Sequence, residues 1–191
     1  MKTLRQTLAG LRLLLALTVL LGLAYPLLMT GIGQVAFPAQ ANGSLLRIDG
    51  KDVGSSLIGQ SFAGARWFHS RPSAASYDAL ASGGSNLGPS SPVLRRQIAA
   101  RRAQVAAQDG VAPGAVPPDA LTASGSGLDP DISPAYAEIQ VARVARARGL
   151  TVAQVRTLVA QHTQARTLGF LGEPRVDVLE LDLALARTAG G

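Results

Sequence analysis

The chain contains no cysteine, only two lysines (Lys2 and Lys51), few aromatic residues and no acidic residue before Asp49. Each shortage removes a class of function. Without thiols there is no disulfide framework, no thiolate metal site and no cysteine nucleophile. This does not constrain the compartment, because a domain with an adequate core needs no staples. With one tryptophan, three tyrosines and four phenylalanines, the stacking platform that nucleic-acid binding relies on is missing, and no nucleic-acid partner is expected. Sixteen arginines supply almost all of the positive charge behind a formal net charge of +6. They are spread along the chain, the densest cluster being Arg95, Arg96, Arg101 and Arg102.

Charge itself is missing from Leu13 to Ile32, LLLALTVLLGLAYPLLMTGI. At about 1.5 Å per residue, a helix of this length crosses a hydrocarbon core roughly 30 Å thick. Lys2, Arg5 and Arg12 precede it, and positive residues favour the cytoplasmic side. The expected organisation is a cytoplasmic tail over 1–12, a transmembrane helix over 13–33 in contact with lipid, and an extracytoplasmic domain over 34–191. The competing reading is a cleaved signal peptide, with Ala39-Gln40-Ala41 as a small-x-small cleavage site. The apolar run is longer than a signal h-region and ends well before Ala39, which favours an uncleaved anchor. With no ionisable group between Arg12 and Arg47, the span is not an ion path. Thr18 and Gly22 could admit a neighbouring helix closely, and a plain lipid-facing tether fits the same residues.

Beyond the span the pattern predicts an α+β domain, with a small N-terminal β-hairpin or sheet and a helical C-terminal half. Leu45–Ile48 and Val53–Ile58 flank Asp49-Gly50, a pair favoured in tight hairpin turns. Phe62–Phe68 is a candidate third strand. His69–Pro92 has no apolar periodicity and is rich in Gly, Ser and Pro, the composition of a functional or unstructured loop. Helices are expected over Val93–Gln108, Pro134–Arg148 with Ser133 as N-cap, and from Thr151 to about Gln164 behind the capping box Thr151-x-x-Gln154. Gly169–Pro174 reads as a turn. Val176 begins a short strand passing into a helix over Val178–Arg187.

Two Gly/Ser loops, SGGSNLG (Ser82–Gly88) and TASGSG (Thr122–Gly127), have the composition of sites. Neither ends in Gly-Lys-Ser/Thr, so neither is a P-loop. Backbone N–H groups of the second could still face an anion. A membrane-anchored serine hydrolase would draw on Ser124 or Ser126, Asp129, and His69 or His162. No G-x-S-x-G elbow surrounds either serine, however, and His162 sits at a structural position on an amphipathic helix. Asp129 and Asp131 lack the further ligands of a calcium loop, and no metal site is expected.

These loops and their neighbours carry a family resemblance. Tyr25-Pro26-Leu27, Phe37-Pro38, Ala41–Ser44, Leu57–Gln60, Arg71–Ala74, ASGGSNLGP (Ala81–Pro89) and TASGSGLDP (Thr122–Pro130) occur in order. Ile132–Ala135, Ala147–Gly149, LGEPRV (Leu171–Val176) and Leu179–Leu185 follow. The chain resembles the C-subunit family of the Kdp potassium-transporting ATPase across almost its whole length. It departs from that pattern at Asp131, where histidine is expected, and at Asp177 and Asp182, where asparagine is expected. The resemblance implies a non-catalytic, single-pass inner-membrane subunit with a periplasmic domain. Its partners would be a channel-like potassium-translocating subunit and a P-type ATPase subunit, with potassium as the transported ion. Two roles come with the family. One is a catalytic chaperone raising the ATPase subunit's affinity for ATP, with Thr122, Ser124, Gly125, Ser126, Gly127 and Asp129 as candidate nucleotide or partner contacts. The other is a periplasmic cap over the path by which potassium enters, with no nucleotide contact.

Overall fold

A computed structural model of the chain describes residues 2–48 and 50–188. Two compact units result, Met1–Leu45 and Leu46–Gly191.

The first unit is built on one helical run, Lys2–Ala36, of 35 residues, long and apolar enough to cross a membrane. It comprises α1 (Lys2–Val19), a wider stretch over Leu20–Ala24, and α2 (Tyr25–Ala36). The widening has a local cause. Pro26 has no N–H for the carbonyl four residues back, and its ring would press on that carbonyl. The helix accommodates this by loosening one turn, so that the Tyr25 N–H reaches the Leu20 carbonyl five residues away. No residue of α1, the wide turn or α2 is buried. After Phe37 comes α3 (Pro38–Ala41), closed by Asn42 Nδ2 donating to the Pro38 carbonyl at 2.7 Å. The cleavage-like Ala39–Ala41 lies inside this turn.

β1 (Leu45–Ile48), whose first residue ends the first unit, pairs with β2 (Lys51–Ser55). Gly50 takes the left-handed φ of 77° that the turn needs, while Asp49 lies outside the described residues. β2 stops at Ser55, short of the expected Ile58, because the Ile58 N–H turns back to the Ser55 carbonyl. Phe62–Phe68 forms no strand. Its backbone groups bond to side chains instead, as described below.

The helices follow their caps. Ser91 accepts from Leu94 N–H to open α4 (Pro92–Asp109), which ends at left-handed Gly110. Ser133 caps α5 (Pro134–Arg148), which ends at left-handed Gly149. The complete Thr151–Gln154 capping box opens α6 (Val152–Gln161). The Asp177 carboxylate accepts from Glu180 N–H at the start of α7 (Val178–Thr188). A second sheet has order β3 (Asp131–Ile132), β5 (Arg175–Asp177), β4 (Thr163–Gln164), all antiparallel. Ile132 and Thr163 both oppose Val176. The core gathers Ile132 and Val176 of this sheet, Ala137, Val141 and Val144 of α5, Val155 of α6, Leu181 and Leu185 of α7, and Phe68 from the long loop. The α+β reading holds. β3 and β4 have two residues each, too few to register as a pattern.

Candidate functional site

The two Gly/Ser loops, distant in sequence, are stitched to one another. Gly83 N–H donates to the Ser126 carbonyl at 2.7 Å, and Ser82 Oγ donates to the same oxygen at 3.1 Å. Ser73 Oγ donates to the Gly127 carbonyl at 2.6 Å, and Ser124 N–H to the Pro72 carbonyl at 3.0 Å. Gly59 N–H closes the seam on the Leu128 carbonyl at 2.8 Å. Glycine is required where the backbones meet. A Cβ on Gly127, whose φ is 71°, would lie 2.7 Å from the Gly83 carbonyl oxygen, and one on Gly59 would lie 2.4 Å from that of Asp129. Ser73 also accepts from the N–H groups of Ala75 and Tyr77. It thereby holds Ser76 and Tyr77 in consecutive left-handed conformations that are costly for non-glycine residues.

This stitching, together with bonds to neighbouring residues, commits most of the expected site residues. Thr122 Oγ1 donates to the Pro118 carbonyl. Ser124 is buried and its Oγ has no hydrogen-bond partner among the described residues. Ser126 Oγ accepts from Leu128 N–H at 3.0 Å. Asp129 accepts from Asp131 N–H and is ion-paired with Arg71 at 2.9 Å. Only Gly125 and Ser126 of the six are exposed. Asp129 and Arg71 border an open cleft of about 460 Å³ that Asp119, Asp131, Glu173 and Arg175 also line. Asp131 pairs with Arg175 at 3.1 Å. Burial pushes its carboxyl up from the usual range, opposed by the Arg175 charge.

The hydrolase constellation is not assembled among the described residues. His69 Nε2 faces the Gly64 carbonyl at 3.0 Å and Nδ1 faces Gln108 Nε2 at 2.9 Å. Those partners call for a neutral ring that donates from Nε2 and accepts at Nδ1. Burial, followed by the Arg143 charge, lowers its pKa and favours that form. His162 caps α6, its Nδ1 against the Leu158 carbonyl. Neither ring meets a serine.

A second polar cluster, missed in the sequence, holds residues 65–69. Arg143 pairs with Asp109 at 2.6 Å, both side chains buried, and its Nη1 donates to the Ala65 and Trp67 carbonyls at 2.8 Å. Gln140 bonds both the N–H and the carbonyl of His69 and accepts from Arg143. Arg148 donates to the Arg66 carbonyl and lies over the Trp67 ring at 4.1 Å. Asp182 accepts from Phe68 N–H at 2.9 Å, while its other oxygen is sealed off without a partner among the described residues. These bonds take the place of the strand expected over Phe62–Phe68. The signal was present in α5, where Gln140 and Arg143 interrupt an otherwise apolar helix face; polar groups at core positions are hydrogen-bonded or costly.

Known proteins match this chain along nearly all of it. The family described as KdpC, K+-transporting ATPase, c chain, matches residues 7–187. A potassium-transporting ATPase KdpC subunit of Kineococcus radiotolerans is 58% identical over 188 residues, covering 97% of this chain and 95% of its own. The KdpC subunit of Methylibium petroleiphilum is 58% identical over 188 residues, 97% of each chain. That of Gemmatimonas aurantiaca is 60% identical over 173 residues, 89% of this chain and 86% of its own. The chain therefore belongs to the KdpC family, the c chain of the K+-transporting ATPase.

Proposed function

We propose that this chain is an accessory subunit that assembles and stabilises the channel-like and P-type ATPase subunits of a potassium uptake complex. It is anchored by its N-terminal helix, and its folded domain works outside the cytoplasm as a cap over the path by which potassium enters. The observation that carries this reading is the seam between the Gly/Ser loops. The Ser124 N–H and the Ser126 and Gly127 carbonyls of TASGSG are spent on Pro72, Ser73, Ser82 and Gly83. The Thr122 and Ser126 hydroxyls are bonded to the Pro118 carbonyl and the Leu128 N–H, and the Ser124 hydroxyl is buried. The adjacent cation, Arg71, is committed to Asp129. A triphosphate needs free donors and cations, and a rigid seam suits a surface that holds shape against a protein partner. Lys2, Arg5 and Arg12 at the start of the helix support an exported domain, which is separated from cytoplasmic ATP. A chaperone effect on ATP affinity would then be indirect, through the ATPase subunit.

The test is a topology reporter fused after Gly191 in cells that produce the whole complex. An alkaline phosphatase fusion should be active and a cytoplasm-dependent fluorescent fusion dark. The opposite result would reverse the orientation and return TASGSG to the nucleotide side.

A further inference from the structure

Residues 92–108 of α4 carry Arg95, Arg96, Arg101 and Arg102 and no acidic residue. Asp109, the last residue of the helix, is already paired with Arg143. Arg95, Arg96 and Arg102 form no ion pair among the described residues, and Arg101 reaches only the Leu121 carbonyl. Between Arg95 and Arg102 lies a groove of about 350 Å³ floored by Ile98, Ala99, Ala103 and Pro113. The two arginines are seven residues apart, so they flank the apolar floor about 10 Å from one another on one helix face.

We propose that this groove docks an acidic amphipathic segment of another subunit, which seats an apolar side chain on Ile98 and Ala99 and places a carboxylate at each of Arg95 and Arg102. The proposal rests on the reading of the chain as one subunit of a multi-chain complex. Charge complementarity selects the occupant. Unpaired guanidiniums beside an apolar floor match carboxylates flanking an apolar anchor, the arrangement in which arginine serves as an interface hot spot. A lipid surface fits less well. α4 has no aromatic residue, and its exposed side presents Ala99, Ala100 and Ala103 between arginines, whereas interfacial helices bury large apolar side chains.

The test places a photo-crosslinking amino acid at Ala99 in the full chain, produced together with the other subunits of the complex, with the exposed Gln104 as a control position. The expected result is a cross-link from position 99, and not from 104, to a segment of another subunit containing at least two acidic residues. Arg95→Glu with Arg102→Glu should lower its yield on the order of tenfold. Arg95→Gln with Arg102→Gln should lower it less and make it less sensitive to salt, and circular dichroism should show both variants folded. If charge reversal disturbs folding, the glutamine pair alone decides the matter. Adducts only to lipid or to a second copy of this chain, no adduct, or a yield indifferent to both pairs would overturn the proposal. A wild-type chain that fails to co-purify with the other subunits would instead overturn the subunit reading, and the groove proposal with it.

Discussion

Residues 65–69 and residues 73–89 belong to one long loop without regular secondary structure, yet they are held by different means. The first stretch is gripped by the buried polar side chains of Gln140, Arg143 and Asp182 and by the partly exposed Arg148, all on α5 and α7. The second is zipped to residues 126–127 largely through backbone atoms and small hydroxyls, with glycine where the chains touch. Buried charge is costly to strand, so the first arrangement is brittle to the loss of a single partner. Backbone contact is sensitive to added volume and indifferent to charge. The difference teaches where a loop can carry function. The seam keeps a fixed shape while leaving Gly125 and Ser126 exposed, whereas the residue 65–69 segment is consumed by the interior.

The largest expected effect is on the brittle side. Arg143→Ala should destabilise the domain by about 3–5 kcal/mol, because Asp109 is left buried without its partner. Urea denaturation of the detergent-solubilised chain would measure it, and a loss below about 1 kcal/mol would show that the grip is not cooperative.

Asp182→Asn sharpens the comparison through pH. Burial pushes the Asp182 carboxyl up to about 8, against the opposing bond from Phe68 N–H and the Arg148 and Arg143 charges. The folded state therefore keeps a proton that the unfolded state loses near pH 4. Stability from this group is fullest below that value and falls as pH rises towards 8, by up to about 1.4 kcal/mol per pH unit. Asp177, raised to about 6 chiefly by burial, contributes the same sign over the lower part of the window. Asparagine keeps the acceptor for Phe68 and cannot ionise. The variant should flatten the slope between pH 5 and 8, as read from midpoints at several pH values, and an unchanged slope would assign the dependence elsewhere.

On the seam, Gly127→Ala should cost roughly 1–3 kcal/mol, from its left-handed backbone and its approach to Gly83. Ser126→Ala should cost less, removing one hydroxyl bond to Leu128 N–H, on the order of 1 kcal/mol. If the seam serves partner contact, Gly127→Ala should also weaken assembly of the complex in pull-downs at temperatures where the domain remains folded.

Much of the fold was legible because it is written locally. Ser133-Pro134, Thr151-x-x-Gln154 and Gly149 mark helix ends through side-chain and backbone chemistry within a few residues. The structure keeps those boundaries. Phe62–Phe68 misled because aromatic residues suit strands as well as buried loops. The site was half legible. Glycine and serine flagged both loops, but composition cannot say that Gly83 meets Ser126 or that Ser124 faces inward.

What the sequence alone determined is the part fixed by short-range physics. It set the uncharged helix, the caps, the absence of thiol and P-loop chemistry, and the order of motifs that marks the family. Tertiary structure decided what each polar group does once packed. It placed Gln140 and Arg143 against a loop some 70 residues away in sequence, sealed one oxygen of Asp182, and joined two Gly/Ser loops into a seam. A hydrogen bond's worth depends on burial and on the partner that folding supplies, and neither is encoded at the position that makes it.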